Sequence, residues 1–321
     1  MALTIFQSFD RKLPNGSDIE FTFRGSYREF KSSVQSTVEI DATPVFIKED
    51  ISVFQTIAER YFPPTVPFSP LQASLPVLEK THRLDTEADE IRPASTKFVC
   101  GTESYGGPKS RFDVQWSLYS DQGELLEILA VLEVKNTHTI RREDFAPAEA
   151  TEQNLEAQRS RAANRGPYFT LLEENAVWLS KQAGKYSEHC ASVAVFDWTA
   201  MFIFNYLHEQ STRGGAVRGT YFDESGPTKG MTFRRLLFAF VARALKRYEA
   251  TLQDRNMTAE KASPSLLNAQ VIIRMIYLAL ANAHRTMDSP ADGCKHVVLE
   301  DEGLWPSSRV FSGTSSVRWN L

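Results

Sequence analysis

The chain has 321 residues, 42% of them hydrophobic and 24% charged, which is enough apolar material for a substantial core and not the balance of a disordered chain. Its formal net charge of -4 leaves no global basic footprint, so contact with nucleic acid requires a locally basic surface. Three scattered cysteines, Cys100, Cys190 and Cys294, suit a reducing compartment better than a disulfide framework. The opening "MALTIFQSFDRKLPNG" reaches charges and turn residues too soon for a signal peptide, and no later run is long and uncharged enough to span a bilayer. The expectation is an intracellular protein, cytoplasmic or nuclear.

In chain order, residues 3–47 read as short strands and turns, with "IEFTFRG" and "STVEID" separated by turn chemistry. "DISVFQTIAERYF" places Val53, Ile57 and Tyr61 at helical spacing behind Asp50, a capping residue, and ends at Pro63 and Pro64. A proline-marked irregular segment follows to about Ala94. Three strand-rich runs come next, "TKFVCGTE", "RFDVQWSLYS" and "ELLEILAVLEVKN", the last two joined by the turn "DQG", and together they predict a three-stranded meander. Residues 141–165 are polar and helix-compatible. "TLLEENAVWLSKQAGKYSEH" predicts a helix with Leu171, Val177, Trp178 and Ala183 as its apolar stripe, and "ASVAVFDWTAMFIFNYL" predicts two strands around a turn at Asp197. The last third reads as mainly helical. "TFRRLLFAFVARALKRYEATL" carries Leu237, Phe240, Val241, Ala244, Leu245 and Tyr248 on one face and Arg234, Arg235, Arg243, Lys246 and Arg247 elsewhere; "SPSLLNAQVIIRMIYLALANAHR" opens with a Ser263 cap and Pro264.

The chemistry concentrates in the meander. Glu133 and Lys135 are two apart in an extended segment and share one face, with Val134 on the other. Such a pair can simply close a strand as a surface ion pair, worth less than about 1 kcal/mol. However, Asp113 sits in the preceding apolar strand, and antiparallel pairing brings the two carboxylates near each other. Paired carboxylates repel unless a cation lies between them, and hard oxygen ligands suit Mg2+ or Mn2+. A lysine beside that ion stabilises developing charge, and the set suits phosphodiester hydrolysis. Arg141, Arg142, Arg159, Arg161 and Arg165 follow, as a solvated face or as phosphate contacts.

Asp113, Glu133 and Lys135, in this order on consecutive strands, resemble the Asp and Glu-x-Lys motif of the PD-(D/E)xK, or restriction-endonuclease-like, nuclease superfamily. Gln182 and Tyr186 in "KQAGKY" resemble the Gln-x-x-x-Tyr motif of its RecB-type branch, four apart on one helix face. The resemblance covers about Asp50 to Leu207. It departs from the pattern in that Asp113 follows Phe112 in place of proline and no earlier helix offers an unambiguous acidic residue. It implies an α/β fold, a mixed central sheet flanked by helices, with a nuclease core (48–210); the residue patterns above add a β-leaning N-terminal extension (1–47) and a helical C-terminal elaboration (211–321). It further implies that Asp113, Glu133 and the Val134 carbonyl hold Mg2+ or Mn2+, with Glu103 or Glu59 as a further ligand. Lys135 then activates or positions water, and Gln182 and Tyr186 orient the site against nucleic acid, DNA rather than RNA. The alternative is a catalytically inactive nuclease fold that binds nucleic acid or protein, as in some host-translocated effectors.

Competing motifs fail on physical grounds. A second Glu-x-Lys, Glu29 and Lys31, lacks an apolar strand before it. "GTESYGGPKS" imitates a phosphate loop, but Pro108 stands where glycine is required and a strand follows where a helix should. His189 beside Cys190, and Cys294 near His296, lack the spacing of a zinc site, and the six histidines give no triad signature.

Overall fold

The computed structural model describes residues 9–10, 40–61, 97–107, 110–120, 122–206, 217–226 and 230–254. The predicted C-terminal helix beginning near Ser263, the tail containing Cys294, the pair Glu29 and Lys31, and most of the N-terminal lead-in lie outside these residues. The described residues form a mixed α/β structure with eight strands in one sheet and five α-helices.

Asp50 starts the first helix, α1 (Ser52–Tyr61), by accepting the Ser52 N–H on Oδ1 at 2.8 Å. The Ser52 side chain first, and this backbone hydrogen bond second, hold the Asp50 carboxyl below its usual range. The buried stripe differs from the predicted one. Phe54 and Ala58 are buried with Ile51 and Ile57 packed beside them, whereas Val53 is exposed. Residues 51, 54, 57 and 58 share a face at spacings of three and four, and Val53 falls off its edge.

The meander forms as expected: β2 (Lys97–Gly107), β3 (Ser110–Tyr119) and β4 (Leu125–Val134) pair antiparallel in sequence order. The turn between β3 and β4 closes with the Ser120 N–H donating to the Glu124 carbonyl at 2.8 Å, and Gly123 supplies the positive φ of 85°. Residues 141–165 break into α2 (Arg142–Phe145), a 3-10 turn, β5 (Glu149–Ala150) and α3 (Leu155–Ala163). The next helix, α4, runs Glu174–Tyr186, shorter than the sequence suggests; Leu171 is buried ahead of it, and the helix buries Ala176, Val177, Leu179, Ala183 and Tyr186. β6 (Ser192–Phe196) and β7 (Met201–Asn205) flank the Asp197 turn and are buried throughout.

The sheet order is β2-β3-β4-β6-β7-β8-β1-β5, where β1 is Phe46–Lys48 and β8 is Val217–Phe222. β4 and β6 run parallel, as do β8 with β1 and β1 with β5, while β6, β7 and β8 are antiparallel neighbours. The sheet therefore continues past residue 210, where the sequence reading placed no strand. One face carries α1 and the long helix α5 (Phe233–Asp254), with Trp116, Leu132, Phe196, Phe238 and Leu245 among the residues between them. The other face carries α2, α3 and α4 over Val131, Val193, Val195 and Phe202. α5 is more enclosed than its predicted single face: Arg234 is buried along with Phe238, Ala239 and Ala242. Phe9 packs edge-on against Phe238, and its carbonyl accepts the Thr232 hydroxyl at 2.6 Å.

Candidate active site at the splayed end of the meander

The β3–β4 ladder stops at Val114 opposite Leu132. One step further, Val134 has no backbone partner on β3. The Asp113 carboxylate substitutes, its Oδ2 accepting the Val134 N–H at 2.8 Å. A strand residue aims its N–H and C=O to the same flank, so the Val134 carbonyl also faces the β3 side. Lys135, on the alternate register, donates its N–H to the Phe196 carbonyl of β6 at 2.7 Å. The side chains follow the same alternation. Leu132 and Val134 pack toward α5, and Val131 and Glu133 toward α4.

Glu133 is no surface residue: it is 6% exposed. A carboxylate this buried persists as an ion only when paired and hydrogen-bonded. Lys135 Nζ forms an ion pair with its Oε1, Gln182 Nε2 donates to the same oxygen at 2.6 Å, and the Tyr186 hydroxyl donates to Oε2 at 2.8 Å. Gln182 Nε2 also donates to the Tyr186 oxygen at 2.8 Å, which closes a ring of contacts among α4 and β4. The Glu133 charge fixes the orientation of the Gln182 amide, since the reversed amide would set oxygen against oxygen. Gln182 Oε1 is then buried with no hydrogen-bond partner among the described residues. Burial first, and the adjacent Glu133 charge second, push the Tyr186 phenol well above its ordinary range, with a smaller contribution from Asp113. Phe112 stacks edge-on against Tyr186 with ring centroids 5.0 Å apart and backs the site.

The loop after Lys135 is held by a residue whose role the sequence reading did not assign. Asp197, expected only as a turn, is fully buried; Oδ2 accepts the N–H groups of Thr139 and Ile140 at 2.8 and 2.7 Å. Oδ1 accepts from Thr199 N–H, Thr199 hydroxyl and Ala200 N–H at 2.9, 2.8 and 2.7 Å. Asn175, in the first turn of α4, donates to the Thr139 carbonyl at 2.9 Å. The Lys135 loop is thus tied to β6, the Asp197 turn and α4 at once. The Asp-x-Thr spacing of an Asx turn was the available signal.

Other candidates stand apart from this group. Glu59 lies exposed on α1 and accepts from Gln55 at 2.7 Å. Arg141 pairs with the buried Asp144 at 2.7 Å and with Glu143, and Arg159 with Glu156 at 2.9 Å; Arg161 donates to Gln158, and Arg165 to Glu173. Arg142 is exposed at the start of α2. The β2–β3 register sets Glu103 across from Asp113, between the pairs Thr102–Val114 and Ser104–Phe112; its side chain is outside the described residues. "GTESYGG" is strand, as its rejection as a phosphate loop requires. Cys190 is buried and donates to the Ser192 carbonyl at 3.3 Å.

The donor set fits a hard divalent cation in part. A carboxylate offers about four acceptor positions, and three at Glu133 are in use. Asp113 and the Val134 carbonyl add oxygens at the same strand end, and magnesium typically completes such a set with water and phosphate oxygens. Among the described residues no group of three or more His, Cys, Asp and Glu side chains forms a metal cluster. No helix among them is long and apolar enough to cross a membrane. No protein-family model matches the chain, and no curated protein or solved structure aligns with it significantly.

Proposed function

We propose that the protein is a metal-dependent nuclease of the PD-(D/E)xK type that hydrolyses phosphodiester bonds, with DNA as the preferred substrate. The observation that carries this reading is the convergence on one buried carboxylate, Glu133, of Lys135 from its own strand and Gln182 and Tyr186 from α4, beside Asp113 at the splayed strand end. Five residue types in motif order meeting in space is a far narrower coincidence than a Glu-x-Lys pair.

Asp113, Glu133 and the Val134 carbonyl would hold Mg2+ or Mn2+, with Glu103 as a further ligand. Such an ion supplies Lewis-acid stabilisation of the phosphoryl oxygens and lowers the pKa of water. Lys135 presents N–H donors to the attacking water and to the charge that builds on the phosphate. Tyr186 keeps its proton and, with Gln182, fixes the Glu133 carboxylate in one orientation. Val131, Phe112 and Tyr186 wall the site on the apolar side. Arg142 and Arg161, both exposed, are the arginines best able to meet phosphates, since Arg141, Arg159 and Arg165 are engaged by carboxylates.

A second reading has its own support. Lys135 already neutralises Glu133, so the pair is stable without any cation, as in a scaffold retained for binding after catalysis is lost. The two readings separate on incubation of single- and double-stranded DNA and RNA with Mg2+, with Mn2+ and with chelator. The nuclease reading expects cleavage that the chelator abolishes. Intact substrate, with a salt-dependent affinity indifferent to chelator, would replace it with the binding module.

A further inference from the structure

The helix that serves Glu133 also carries a second, unassigned group. Lys181 is only 6% exposed, yet among the described residues its ammonium has no hydrogen bond or ion pair. The stem is buried while the ammonium itself keeps contact with solvent, since Nζ is not one of the buried side-chain atoms without a partner. Here Nζ lies 4.9 Å from the Tyr168 ring centroid and 5.4 Å from that of Trp178, and the two rings meet edge to face at 5.6 Å. Tyr168 is 42% exposed and Phe169 beside it 60% exposed. Phe169 is held at a φ of 49°, a left-handed conformation that bulky residues avoid. The chain therefore holds an aromatic pair at the surface, with a solvent-reaching ammonium over the Tyr168 and Trp178 rings.

Position ties this group to the site. Trp178, Gln182 and Tyr186 succeed one another at intervals of four on α4, so the ring lies one turn, about 6 Å, along the helix from the residue that holds Glu133. Residues 154–186 carry five basic and three acidic side chains, locally positive in a chain of net charge -4.

We propose that Tyr168, Trp178 and Lys181 form a clip for one unpaired nucleotide of the substrate strand, the exposed Tyr168 ring stacking its base, Trp178 buttressing that ring edge to face, and the ammonium meeting its phosphate. This rests on the nuclease reading and narrows it, because ring faces stack only on bases free of a duplex, which makes single-stranded or frayed nucleic acid the substrate class. Phe169 is placed to extend the stack to a neighbouring base.

The test is anisotropy of a short labelled single strand and of its blunt duplex with the full chain in chelator, where no metal-dependent cleavage occurs. Wild type should prefer the single strand. Tyr168→Ala should weaken that binding about tenfold, one lost base stack; Trp178→Ala should weaken it less, by releasing the Tyr168 ring; and both should leave the duplex unchanged. Trp178→Phe should restore most of the affinity, and Lys181→Gln should reduce the salt slope by about 0.7. Equal affinity of wild type for both forms, or single-strand binding unaltered in Tyr168→Ala, whose exposed ring contributes little to folding, would overturn the clip. Single strand bound through Tyr168 but left intact with Mg2+ would support the clip and remove the nuclease reading alone. Magnesium-dependent cleavage with binding unaltered by the substitutions would do the reverse.

Discussion

The Glu133–Lys135 pair carries both the proposed chemistry and a share of the stability, and the two can be separated. Lys135→Met strands a buried carboxylate, so a loss of about 3–5 kcal/mol is expected from urea denaturation. Adding Glu133→Gln to Lys135→Met removes the orphaned charge and should recover a large part of that loss while activity stays absent. A double variant no more stable than Lys135→Met would show that the pair is not the electrostatic unit described here. Tyr186→Phe deletes one donor to the same carboxylate and should cost about 1.5–3 kcal/mol, the range for a hydrogen bond to a charged group. At this scale the sequence was informative, because strand alternation put Glu133 and Lys135 on one face and helical spacing did the same for Gln182 and Tyr186. It did not reveal the burial of Glu133, which depends on α4 closing over the strand. It missed the five donors on Asp197, which come from two segments about sixty residues apart in sequence.

Among the elements, the long and periodic ones were legible and the short ones were not. The meander, α4, α5 and the β6–β7 pair announce themselves through apolar runs and turn residues. β1 and β5 have three and two residues, too few for any period. β8 contains Gly219 at its centre, which reads in isolation as a turn. Packing explains that glycine. A Cβ there would stand 2.4 Å from Phe46 Cδ2 and 2.7 Å from Phe202 Cζ, so β8 crosses between two rings that admit no side chain. Gly219→Ala should cost about 1–3 kcal/mol by overpacking, read as a lower urea midpoint; an unchanged midpoint would mean the rings move aside freely. The shifted stripe of α1 has a similar origin, since tertiary contact with α5 and the sheet selected Phe54 and Ala58 over the equally periodic Val53.

For the molecule as a whole, two apolar layers on one sheet enclose groups that titrate only when charged forms are tolerated. Burial pushes the Cys100 and Cys190 thiols up to about 12, and holds the Tyr186, Tyr206 and Tyr221 phenols above their ordinary range. Groups whose folded pKa is raised contribute stability that is complete below the unfolded pKa and lost as pH rises through the folded one. Stability should therefore fall from about pH 9 upward, as the unfolded chain releases protons that the folded chain retains. The urea midpoint measured from pH 8 to 11 checks this, and a rising midpoint would contradict it. A disulfide-exchange reagent should leave both thiols unmodified until denaturant is added; rapid reaction of either in the native protein would show that the core opens.

The central claim is that Asp113 and Glu133 act together at the splayed strand end, and Asp113→Asn tests it most directly. The amide retains an oxygen for the Val134 N–H, so the ladder end and the fold should survive while the charge is lost. Magnesium-dependent cleavage by this variant should fall at least about a hundredfold from wild type at an unchanged urea midpoint, the several kcal/mol a correctly held Lewis acid supplies. Cleavage at the wild-type rate by Asp113→Asn, or none by either protein, would contradict the account.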